Sequence, residues 1–343
     1  MFELLGNVVT ESALSDEDNA FMESYSTGWE CNYSDACDAL LYTAMESEQN
    51  FNAIMQATMV QEASYFMEHG TEMVYEAVDF KAFFGKIKAA VLKAWEKVKA
   101  IFKKVFDTIA GWVTSDKSYI SRNSDDMKKA NGTKIDFEGY NITHYNLIDD
   151  IISVVGDYEY EEILTKSKVS DESIQKTILK DIAKCSTREK YLEYAEKQLG
   201  LNKKVTIKTY NADACIEEIK SAKKSKEAAN KDYDYAKKLF ASLSASCDKA
   251  AREPQTLKTN DDKDMFTDKE KTSITAAAGE FSKAMGFFTS LANSALNLEI
   301  KAINVAHDQA KKMTSKALAE YNKKDKKAKN ESCLYGVDSV ELI

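Results

Sequence analysis

FKAFFGKIKAAVLKAWEKVKAIFKKVFDTIAGW, residues 80–112, is the stretch whose reading decides the fold. Apolar side chains recur at Phe80, Phe83, Phe84, Ile87, Val91, Trp95, Val98, Phe102, Val105, Ile109 and Trp112, the i, i+3, i+4 spacing of one helical face. Lys81, Lys86, Lys88, Lys93, Lys97, Lys99, Lys103 and Lys104 lie between them, against Glu96 and Asp107. Residues 79–113 are therefore expected to form one cationic amphipathic helix about 50 Å long. Three uses compete for it. The apolar face can pack into a bundle, leaving the lysines as its solvated side. It can lie in an anionic membrane interface. Or the lysines can meet nucleic-acid phosphates while the apolar face packs on another helix. Lysine without interleaved arginine tells against reading of base edges.

Outward from this helix, the charge divides sharply. Residues 1–80 hold sixteen Asp and Glu and no Lys or Arg, so the net charge of −9 is the sum of −16 there and +7 in the remainder. The same segment holds seven of the eleven methionines. It reads as an acidic arm of adaptable hydrophobic helices, with helical spacing over 35–45, 51–59 and 61–75. Such an arm is repelled by nucleic acid, and two readings stand for it: a solvated acidic subdomain whose charge aids solubility, or a complement to the basic part, within the chain or during assembly.

Twelve glycines and one proline in 343 residues predict few turns and long helices. The fold class is mainly α, in five parts: an acidic helical arm (1–78), the cationic helix (79–115), a small α+β module (116–212), a long antiparallel helical hairpin (213–330) and a tail (331–343). Within the module, Asn131-Gly132 and Glu138-Gly139 flank Lys134–Phe137 and Tyr140–Thr143 as turn signals, predicting a β-hairpin, to which 203–210 adds a third strand. Ser186 and Glu189 have capping-box spacing, and Gly200 stops the helix that follows. In the hairpin, one helix spans 212–252, Pro254 and 255–264 form the loop, and a second helix begins near Thr267. Lys283, Asn293, Asn297 and Glu299 interrupt the second helix too often for a membrane hairpin, favouring a coiled-coil-like arm.

The order Met73-Val-Tyr-Glu-Ala-Val-Asp-Phe80, the lysine-rich helix, Asp116-Lys-Ser-Tyr-Ile120, and Lys134-Ile-Asp-Phe-Glu-Gly-Tyr-Asn-Ile-Thr143 resembles virion structural proteins of large tailed bacteriophages. The resemblance covers about residues 40–145 and contains no catalytic signature. It implies a late-expressed particle protein, assembled in the host cytoplasm, located in the virion and associated with the head interior. The partners it implies are other virion proteins and packaged DNA, with the chain as a homo-oligomer or assembly component. It also implies loss of an N-terminal propeptide by a cut after a glutamate, for which Glu76 and Ala77 are the candidate pair. That cut would change the net charge from −9 to +6. The acidic arm would then mask the basic helix during assembly.

Chemistry finds little support. Six scattered cysteines and three histidines form no metal or disulfide framework, and the thiols read as free in a reducing cytoplasm. The acidic residues Asp149, Asp150, Asp157, Glu159, Glu161 and Glu162 lack a cation-loop pattern and read as a solvated edge. No nucleophile elbow, phosphate loop or zinc-protease motif occurs, so no enzyme, cofactor or metal is expected. Residues 1–10 lack the features of a signal peptide and no stretch has transmembrane length. The expectation is a non-enzymatic virion protein. The alternative is a membrane-active effector whose cationic helix binds anionic bilayers.

Overall fold

The computed structural model describes residues 35–54, 56–57, 80–166, 173–220, 222–256 and 268–335. The protein is mainly helical, with one small antiparallel sheet. Four long helices form its body. α1 covers 35–54, α2 is Phe80–Lys129, α8 is Ala222–Thr256 and α9 is Asp268–Tyr335. Between α2 and α8 come β1 (Lys134–Tyr140), α3 (Leu147–Val155), a 3-10 turn (Gly156–Tyr158), α4 (Tyr160–Lys166), α5 (Ile174–Ala183), α6 (Arg188–Gln198), β2 (Lys204–Thr209) and α7 (Ala212–Lys220).

Helix directions follow from the side-chain pairs. Trp95 stacks on Phe240 with centroids 5.4 Å apart, Phe106 meets Tyr233, and Lys88 pairs with Asp248, so α2 and α8 are antiparallel. Phe84 meets Phe281 and Trp112 stacks on His307, so α2 and α9 run parallel. Cys37 contacts Asn297 while Phe51 lies against Gly286, so α1 runs antiparallel to α9. α8 and α9 are antiparallel as the hairpin reading requires, and α2 completes the layer between them. The expected arm is a bundle core: residues 284–300 of α9 are all buried. Its alanines, serines and glycine allow neighbours to approach on every side.

The cationic helix is longer than its apolar pattern. It continues from Val113 to Lys129, burying Asp116, Ile120 and Met127 at helical spacing. Residues 113–129 contain no glycine or proline, so nothing breaks the helix until Gly132 turns the chain at φ +76°. The boundary placed at 115/116 therefore falls inside a helix. A second, smaller core of Ile120, Met127, Ile135, Tyr210, Cys215, Ile216 and Ile219 closes on Ala310, Met313 and Ala317 of α9, whereas the buried residues of 147–201 join the larger core.

The expected hairpin at Glu138-Gly139 is corrected. Lys134–Tyr140 is a single strand passing through both residues, paired with β2 in the register Glu138 to Thr206 and Gly139 to Val205. Gly139 serves approach rather than a turn: the Gln309 side chain lies where a Cβ would project. That amide accepts from Tyr140 N at 2.6 Å and donates to Tyr140 O at 2.9 Å, fixing the strand to α9. Residues 203–210, expected as a third strand, supply the partner instead.

Smaller details also move. The cap of α6 is Thr187, whose hydroxyl accepts from Lys190 N, one residue beyond the expected Ser186. Gly200 stops α6 as expected, at φ +72°. Of the single helix expected over 212–252, Ala212–Lys220 (α7) and Ala222–Thr256 (α8) are helical, residue 221 lying outside the described residues, and α8 runs through Pro254 to Thr256. Residues 257–267, with most of the expected loop and Thr267, lie outside the described residues, as do the helical stretches expected over 58–75.

Two glycines test the packing in opposite directions. A Cβ on Gly286 would stand 2.8 Å from Phe51 Cβ, whereas one on Gly85 would meet nothing within 4 Å. Gly286→Ala should destabilise the protein by about 1–3 kcal/mol through overpacking. Gly85→Ala should stabilise it by up to about 1 kcal/mol, the gain in helix propensity. Urea unfolding of the two variants measures both.

Candidate functional site

The nine residues named for the apolar face are inward. Phe80, Phe84, Ile87, Val91, Val98, Phe102, Val105 and Ile109 are buried, and Trp95 is half-buried against Tyr233 and Phe240. A bilayer could reach this stripe only by opening the core. Among the described residues, no helix is long and apolar enough to cross a membrane.

The eight lysines lie on both flanks of the stripe. Lys86, Lys93, Lys97 and Lys104 follow i, i+7, i+11 and i+18 and share one row, about 27 Å long. Glu46 of α1 lies across the middle of that row, bonded to Lys97 and 3.3 Å from Lys93 Nζ. The hydrogen bond from Lys97, with Lys93 beside it, holds the Glu46 carboxyl below its ordinary range. Lys97 also faces the Tyr42 ring at 6.0 Å. On the other flank, Lys88 pairs with Asp248 of α8 at 2.7 Å and Lys99 with Glu96 at 2.6 Å. Lys81, Lys86, Lys103 and Lys104 are exposed, with no acidic partner among the described residues.

α1 is held by more than charge. Ala36, Leu40, Ala44 and Phe51 form its buried stripe. Asn297 Nδ2 donates to Cys37 O at 2.6 Å. Glu48 Oε1 accepts from Arg188 Nη1 at 2.6 Å and from Ser290 Oγ at 2.8 Å, while Arg188 Nη2 reaches Ser294 Oγ at 2.8 Å. Magnitudes decide what retains this helix. Burying Leu40 and Phe51 is worth about 1.5–3 kcal/mol each, whereas a partly exposed ion pair such as Glu46 with its lysines contributes at most about 1 kcal/mol. Packing holds α1 in place; charge decides what it covers. Its outer face leaves Leu41, Tyr42 and Met45 exposed.

Glu76 and Ala77 lie outside the described residues. A cut between them severs the chain but leaves the packing of α1 intact, so loss of the acidic charge also requires this helix to dissociate. Sequence reasoning located the acidic complement but missed Arg188, Ser290, Ser294 and Asn297, which come from distant segments and carry no local motif.

The carboxylate nearest to catalytic geometry is Asp116. It accepts from Lys311 Nζ at 2.7 Å and bonds His307 Nε2 at 2.8 Å, with the imidazole stacked on Trp112 at 3.9 Å. Burial lowers the His307 pKa against the pull of Asp116, so the ring is neutral at pH 7 and donates its proton to the carboxylate. Ser115 bonds the carboxylate and Trp112 O rather than the imidazole. With His307 and Asp116 about 3% and 2% exposed, the group is a polar strut enclosed between the two cores. The expected solvated acidic edge also changes: Asp150 accepts the Tyr145 hydroxyl at 2.9 Å and the Tyr194 hydroxyl at 3.3 Å, and Glu159 pairs with Lys249 at 2.8 Å. Among the described residues no three His, Cys, Asp or Glu are placed to hold a metal. Cys37, Cys185, Cys215 and Cys247 are free thiols, and burial pushes Cys247 up to about 12.

The fold and this interface define a helical-bundle protein in which an acidic helix is docked across a lysine row. No family model matches the chain, and neither the curated proteins nor the solved structures hold a match to it.

A chain carrying an inserted protease site after Glu76 should, once cut, keep α1 bound through native gel filtration and release it in urea. Asp116→Asn should cost roughly 3–5 kcal/mol, because it leaves Lys311 without its buried partner. His307 has a folded-state pKa below its unfolded value. Its contribution is therefore complete above pH 6.5 and is lost as pH falls through the folded value. Unfolding midpoints of wild type and His307→Asn should converge as the pH is lowered over that range.

Proposed function

We propose that the chain is a non-enzymatic structural protein of the virion, of the head-interior type that its sequence resembles, assembled in the host cytoplasm. In this reading, α1 covers the lysine row of α2 until packaged DNA competes for it. The observation that carries the reading is Glu46 lying between Lys93 and Lys97, at the centre of a row whose ends, Lys86 and Lys104, remain exposed. A phosphate backbone meets such a row by non-specific contact, releasing counterions. α1 and DNA would then compete for the same two ammonium groups. Other virion proteins fit the exposed apolar side chains Leu41, Tyr42 and Met45 on the outer face of α1. The enclosure of the His307–Asp116 pair supports a non-enzymatic role, since no substrate reaches it in the folded chain.

Fluorescence anisotropy with a short DNA duplex at about 50 mM salt tests the competition. Glu46→Gln should tighten binding severalfold. Replacing Lys86, Lys93, Lys97 and Lys104 by Gln should weaken it at least tenfold and reduce the salt slope by about 0.9 for each phosphate no longer neutralised. Absence of DNA binding in both wild type and Glu46→Gln would end the reading. Salt-sensitive binding to anionic vesicles instead would move the assignment to the membrane-active alternative.

A further inference from the structure

A cavity of about 350 Å³ opens where the start of α3 meets α8 and α9, remote in sequence from the lysine row. Its lining combines hydrocarbon with polar groups. Leu199, Ala228, Ala302 and Ile303 supply the first, and Asp232 and Glu299 supply two buried carboxyl groups beside His144, Tyr145, Asn146, Lys231 and Tyr235. Glu299 Oε1 accepts the Leu147 N–H at 2.5 Å, the first amide of α3. Asn146, the cap of that helix, turns its amide towards Asp232 Oδ1 at 3.4 Å. Glu299 Oε2 is enclosed and has no hydrogen-bond partner among the described residues. Buried polar atoms are normally paired, so an orphaned carboxyl oxygen in a cavity wall points to a missing donor.

The surrounding groups narrow what that donor is. Two carboxyls facing one cavity exclude an anion. No third His, Cys, Asp or Glu joins them in a metal-binding group among the described residues. A primary ammonium offers three N–H donors, one positive charge and an alkyl chain, matching both halves of the lining. We infer that this cavity binds a short aliphatic primary amine, its ammonium donating to Glu299 Oε2 and to Asp232 and its chain lying along Leu199, Ala228, Ala302 and Ile303.

The site is coupled to protons. Burial, then the neighbouring Asp232, raises the Glu299 pKa far above the ordinary carboxylate range, against the Leu147 and Ile148 amides; burial also raises Asp232, against Lys231. Asp150 of α3 adds negative charge near Glu299. The Tyr191 hydroxyl of α6, buried without a partner among the described residues, stays protonated beside it. Lys231 and His144 are the exposed titratable groups of the lining, and the Lys231 ammonium competes with a ligand for Asp232. An entering ammonium favours the ionised form of both carboxyls, so binding releases protons to solvent. Both carboxyls have folded-state values above their unfolded ones. Their stabilising contribution is therefore complete below pH 4 and is lost as pH rises through the folded values.

Isothermal titration of the full chain with n-butylamine tests this. One site per chain is expected at pH 8, weakening at least tenfold by pH 5.5, with heats in two buffers reporting proton release. Glu299→Gln should lose at least tenfold in affinity while folding normally, and with a thermal midpoint less depressed at high pH than that of wild type. Lys231→Met should bind severalfold more tightly. Absence of heat at about 10 mM amine, undiminished binding by Glu299→Gln, or equal occupancy by potassium chloride would overturn the assignment. None of these outcomes bears on DNA binding by α2.

Discussion

Seventeen consecutive residues of α9, 284–300, are covered on every side, and most other elements are arranged to provide that cover. A helix enclosed all round needs neighbours on at least four faces, which an isolated helical hairpin cannot supply. α8 takes one face, α2 another, α1 a third, and the short helices between α2 and α8 close the remainder. Ala284, Ala292 and Ala295 let these neighbours come close, and Gly286 admits Phe51 against the α9 backbone. α1 is therefore part of the core, although its sequence is that of an acidic arm.

Such enclosure places polar groups inside. Thr289 and Ser294 return their hydroxyls to carbonyls one turn back, at 2.8 and 3.1 Å, and Asn297 reaches the backbone of α1. Asp116, His307 and Lys311 satisfy one another where the large core gives way to the smaller one. Glu299 is answered on one oxygen alone, and Ser282 and Asn293 are unanswered among the described residues. Buried polar groups cost free energy when unpaired, and of these Glu299 lines a cavity.

Electrostatics acts on a different scale from packing in this protein. Few of the surface ion pairs of α2 contribute much to stability, since their lysines are at least one-third exposed. They determine instead which cations remain available to a partner. Glu46 and Asp248 pair with three lysines, Lys88, Lys93 and Lys97, whereas Lys81, Lys86, Lys103 and Lys104 have no acidic partner among the described residues. A helix kept in place by Leu40 and Phe51 can thus regulate charge without itself depending on charge.

The helical class, the inward stripe from Phe80 to Ile109 and the separation of acid from base were legible in the sequence because each depends on local periodicity or composition. Gly200 was legible as a helix stop because a left-handed residue favours glycine wherever it occurs. The strand through Glu138-Gly139 was not, because a glycine that admits Gln309 reads locally like a glycine that makes a turn. The continuation of α2 to Lys129 was hidden for a similar reason: most of its residues are polar and outward, and Ile120 and Met127 find apolar partners only in the second core. The meeting of Asp232 with Glu299, and of Glu46 with Lys93 and Lys97, belongs to tertiary structure alone. Sequence specifies which face of each helix is apolar, whereas the pairing of faces between helices decides which charges meet.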